Sequence, residues 1–84
     1  MDTKKYIADH RERFFEELFS LLRIPSISAL PEHKEDMSRC AGRWKELLLA
    51  AGADRAEVMP TSASPVVFAE KIVDESLPTV LVYA

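Results

Sequence analysis

The stretch Leu77-Pro78-Thr79-Val80-Leu81-Val82-Tyr83-Ala84 constrains this chain more than any other. From Val80 to Ala84 it is unbroken and apolar, with a β-branched and aromatic core. A strand with one wet face alternates apolar and polar residues, whereas a continuous apolar run marks a strand covered on both faces, as in α/β proteins. Pro78 stands just ahead, where a missing N–H costs a ladder nothing. Such a strand needs neighbours on both edges and layers above and below. With nothing after Ala84 to supply them, the run reads as the front end of a larger fold.

Size supports that expectation. With 84 residues, a chain folds as one small domain at most and buries only about 60–65% of its unfolded surface. Composition is ordinary for a globular protein, with 48% hydrophobic and 30% charged residues. A net charge of -3 gives no attraction for a phosphate backbone, which argues against nucleic-acid binding. No window reaches the ~18 apolar residues of a membrane span, and no apolar signal core follows Met1-Asp2-Thr3-Lys4-Lys5, so the expected location is cytoplasmic. Cys40 is the only cysteine and has no internal disulfide partner, which fits a reducing compartment.

Two helices are expected first. Ile7, Phe14, Phe15, Leu18, Phe19 and Leu22 recur at helical spacing over residues 3–22, with Asp2 or Thr3 as cap and an Asp9–Arg13 pair in the favourable order. Pro25 keeps Ile24 out of the α region and ends that helix near Leu22 or Arg23. Ile24 to Ser28 is an extended connector whose isoleucines should reach a core. Pro31 offers a first helical position for a second helix over roughly 32–51. Its stripe is Met37, Cys40, Ala41, Trp44, Leu47, Leu48 and Ala51, with Glu35 and Arg39 paired outside. Gly42 would admit a close backbone neighbour, and Gly52 is placed as a left-handed stop.

The period then changes. Residues 56–59 and 66–71 read as short strands around the turn Thr61-Ser62-Ala63-Ser64-Pro65 and pair most simply as an antiparallel hairpin. Ile72 and Val73 can extend the second strand, and Asp74-Glu75-Ser76 is a loop before the terminal strand. Two helices, a hairpin and a buried strand predict an α/β domain with a mixed sheet.

Candidate chemistry is sparse. His33, Asp36 and Cys40 share a helix face and are all metal-binding types. They lack the tighter paired motif of a metal site, and Cys40 falls on the apolar stripe, so core and solvent roles explain them better. His10 has no sequence-near partner. Ser26, Ser28, Ser62 and Ser64 lie in turn-like segments without a nucleophile elbow. Glu12, Glu16 and Glu17 make a solvated face, and Trp44 with Phe14, Phe15 and Phe19 reads as core. The two glycines, Gly42 and Gly52, build no phosphate loop. No catalytic, cofactor-binding or metal-ligating residue is therefore assigned in this chain.

Four segments in order resemble the M20 metallopeptidase family. Leu21-Leu22-Arg23-Ile24-Pro25-Ser26-Ile27-Ser28 resembles the L-x-x-I-P-S-V-S that ends its first helix, and Trp44 to Gly52 resembles its second. Ser64-Pro65-Val66-Val67-Phe68-Ala69-Glu70-Lys71 is similar to the N-P-V-V-x-A-E strand of the dipeptidase, carnosinase-like branch, with Ser64 where Asn or Gly is usual. Pro78 to Ala84 is similar to the strand leading into G-H-Y-D-V-Q-P, with Ala84 in the glycine's place.

The resemblance implies that residues 1–84 are the N-terminal part of a mixed-sheet α/β/α zinc-exopeptidase catalytic domain. It implies a small peptide substrate and two divalent metal ions, usually zinc, which activate a bridging water beside a glutamate base. The first metal-binding histidine would follow directly after Ala84, with an aspartate two residues later. No position here matches a ligand or a catalytic residue, and the segment alone would be inactive. A later strand would lie between the first hairpin strand and the terminal one, and the parent would often be a homodimer through an inserted domain. The competing expectation is a self-contained interaction module that folds alone. A membrane-surface helix is disfavoured by the mixed charges on the first helix's polar face.

Overall fold

The computed structural model describes residues 2–84 as helices followed by a hairpin. Helix α1 spans Thr3–Asp9 and α2 spans Arg11–Leu22. A 3-10 turn, Pro31–His33, leads into α3, Lys34–Ala50. Strands β1, Arg55–Met59, and β2, Val66–Glu70, form an antiparallel two-stranded sheet.

The helix ends follow local chemistry. Asp2 caps α1, its Oδ1 accepting from the Lys4 and Lys5 amides at 3.0 and 3.4 Å. The single helix expected over 3–22 is interrupted at His10, whose backbone leaves the helical region at φ -113° and ψ 17°. There the imidazole folds back, and Nδ1 donates to the Tyr6 carbonyl at 2.9 Å. That carbonyl also receives the His10 amide at 3.2 Å, an ordinary helical bond. The break also removes the expected Asp9–Arg13 pair. Arg13 instead donates to the Tyr6 hydroxyl at 3.2 Å and lies 3.7 Å from Glu17.

Helix α3 stops in a Schellman arrangement. Gly52 sits at φ +108°, its amide donates to the Leu49 carbonyl at 3.1 Å, and the Ala53 amide reaches back to Leu48 at 3.0 Å. Gly42 does not serve a close approach, because a Cβ there would meet nothing within 4 Å. Arg39 pairs with Asp36 at 2.9 Å, not with Glu35 as the spacing predicted.

The hairpin pairs Ala56 with Ala69 and Val58 with Val67, which places these four on one face. Helix α3 packs on both strands, and the buried residues among those described are two alanines, Ala41 at 6% exposure and Ala56 at 7%. Small residues at this contact let helix and sheet approach closely. The opposite face carries Glu57 across from Phe68, Arg55 across from Glu70, and Met59 across from Val66. The Arg55 guanidinium lies 5.4 Å from the Phe68 ring centre, with Glu70 at 3.5 Å. The loop between the strands is tied by Thr61, whose Oγ1 donates to the Ser64 carbonyl at 2.6 Å and accepts from the Ala63 amide at 3.0 Å. A second tie joins the helices: Arg43 Nε donates to Ser20 Oγ at 3.1 Å, linking α3 to α2.

Several expected burials do not occur. Residues 78–84 form no strand, and Val80, Leu81, Val82 and Tyr83 are 85–93% exposed. The reason is the lack of a ladder: the sheet contains β1 and β2 alone among the described residues, and an unpaired extended segment has no hydrogen bonds to define it. Strand β2 ends at Glu70, so Ile72 and Val73 do not extend it. Ile27, Phe15, Phe19 and Trp44, expected in a core, stay exposed, while Ile24 and Phe14 are half-buried.

The sum of these exposures is large. The accessible surface is 7297 Å², against about 5,000 Å² for a compact protein of its 9.5 kDa. The radius of gyration is 15.2 Å, against about 12 Å for a compact chain of this length. The molecule is a slab of 45 × 33 × 17 Å, one helix layer deep on one sheet layer.

Candidate functional site

A cluster of titratable side chains lies where α3 begins. Its origin is local: the 3-10 turn sets His33 three residues before Asp36, and Arg39 follows one turn later. His33 Nδ1 donates to Asp36 Oδ2 at 2.8 Å, and Arg39 donates to Oδ1 at 2.9 Å. The His33 bond, with help from the Arg39 charge, holds the Asp36 carboxyl below the usual carboxylate range. Both carboxylate oxygens are thus occupied, one of them by a fixed positive charge.

This arrangement is a poor cation site. A metal would have to displace His33 and work against the guanidinium. Among the described residues, no group of three His, Cys, Asp or Glu side chains converges as a metal site would require. Cys40 is a half-buried free thiol on α3. The residues present do not fit the pair of metal ions implied by the resemblance.

The other candidates are dispersed. His10 serves the α1 terminus through its bond to Tyr6, with the two ring centres 4.3 Å apart. Ser20 donates to the Glu17 carbonyl at 2.7 Å and receives Arg43, a structural role that no sequence motif announced. Ser26 sits in a tight turn, its amide donating to the Ile24 carbonyl at 2.7 Å. Ser28, Ser62 and Ser64 line an open groove of about 430 Å³, together with Lys34 and Met37. Glu16 and Glu17 pair on the surface with Arg23 and Arg13, each at 3.7 Å.

Asp54 is a polar centre absent from the sequence reading. It follows Gly52 and Ala53 at the junction of α3 and β1, and its position directly before a strand was the available signal. Oδ2 accepts from the Ile72 amide at 2.8 Å and Oδ1 from Lys71 Nζ at 3.0 Å. These bonds, the Ile72 amide foremost, keep its carboxyl below the usual range. Asp74 is lowered in the same way by the Ser76 amide and hydroxyl, which donate to its Oδ1 at 2.9 Å.

No helix among the described residues is long and apolar enough to cross a membrane. Comparison with protein-family models, curated proteins and solved structures finds no match to this chain.

Proposed function

We propose that this chain is scaffold from the N-terminal part of an M20-like metal-dependent exopeptidase catalytic domain, of the dipeptidase branch. In this reading its helices cover a mixed sheet, its hairpin forms part of that sheet, and residues 78–84 become a central strand. The metal ligands, the general base and the peptide-binding groups belong to sequence outside these residues, so the chain carries no catalytic step of its own.

The observation that carries the reading is the exposed apolar run Val80-Leu81-Val82-Tyr83, whose composition suits a strand buried on both faces. Supporting it are the four motif segments in family order and a surface about 2,000 Å² larger than a compact protein of this size presents. A self-contained interaction module would bury more than the two alanines buried among the described residues.

The test is the gene sequence after Ala84, followed by assay of the whole reading frame. The proposal expects His-x-Asp directly downstream, and hydrolysis of dipeptides that a chelator abolishes and zinc restores. A stop codon at that point, together with a sharp cooperative melt of the 84 residues, would overturn it in favour of an autonomous module.

A further inference from the structure

We draw no further inference here: the strongest candidate, the exposed apolar surface made by the Phe15–Leu22 face of α2 and the segment Val80–Tyr83, is an unpartnered face, and nothing in the structure shows what covers it.

Discussion

Asp54 and Ile72 are 18 residues apart, yet the Ile72 amide donates to Asp54 Oδ2 at 2.8 Å. This bond, with the Asp54 amide donating to the Glu70 carbonyl at 2.8 Å, closes the base of the hairpin where α3 hands the chain to β1.

The Asp54 carboxylate should therefore make the hairpin base sensitive to acid. A carboxyl whose folded pKa is lowered stabilises the fold above its unfolded pKa and loses that contribution as pH falls through the folded value. Amide exchange at Ile72, corrected for its intrinsic pH dependence, should hold steady from neutral pH to about 4 and accelerate below. Asp54→Ala, which removes the acceptor, should give fast exchange at neutral pH. Lys71→Met should raise the Asp54 titration midpoint only part of the way, because the Ile72 amide is the larger cause. A Lys71→Met midpoint in the ordinary aspartate range would contradict this order.

A parallel experiment separates the two partners of Asp36. His33→Ala should raise the Asp36 carboxyl midpoint, followed by carbon NMR, more than Arg39→Ala does. The stabilisation at the start of α3 should likewise fade as pH falls below about 4. Equal shifts from the two variants would mean that charge, and not the His33 hydrogen bond, dominates the site.

The two glycines should respond with opposite signs. Gly52→Ala places a Cβ at φ +108° and should destabilise the chain by about 1–2 kcal/mol. Gly42→Ala puts a methyl into open space within a helix and should stabilise by about 0.5–1 kcal/mol. Amide exchange along α3, which reads local opening, measures both. A destabilising Gly42→Ala would show that another backbone lies against α3.

Residues 79–83 should govern self-association. They combine high strand propensity with no charge, the composition of an aggregation-prone segment. Val82→Lys should cut the aggregated fraction seen by sedimentation while shifting unfolding free energy by less than about 0.5 kcal/mol, since Val82 is 86% exposed. Unchanged aggregation would move the liability to the α2 face.

How much of this was legible in the sequence depends on the range of the interaction. Gly52 and the Thr61–Pro65 turn act within a few residues, and the sequence pattern placed both; it offered Asp2 or Thr3 as the first cap, and the structure selects Asp2. The His10 break was missed because apolar periodicity continues across it, while the side chain that ends α1 is polar and bonds backward to Tyr6. The terminal strand failed differently. Val80 to Ala84 has the right residues, but a strand exists only with a neighbour, and composition cannot supply one. At the site, the spacing of His33 and Asp36 put them on one face, and Arg39, one turn on, gives the pair its character.

The slab's 17 Å thickness sets where proton chemistry can be tuned. With one helix layer and one sheet layer, no polar or charged residue is buried among the described residues. Neighbouring donors shift Asp36, Asp54 and Asp74 downward, against the opposing effect of dehydration. Raising an acid's pKa toward neutrality takes a low-dielectric pocket. In this architecture such a pocket arises only when a third layer closes over an open face, making the covering layer a chemical participant as well as a structural one.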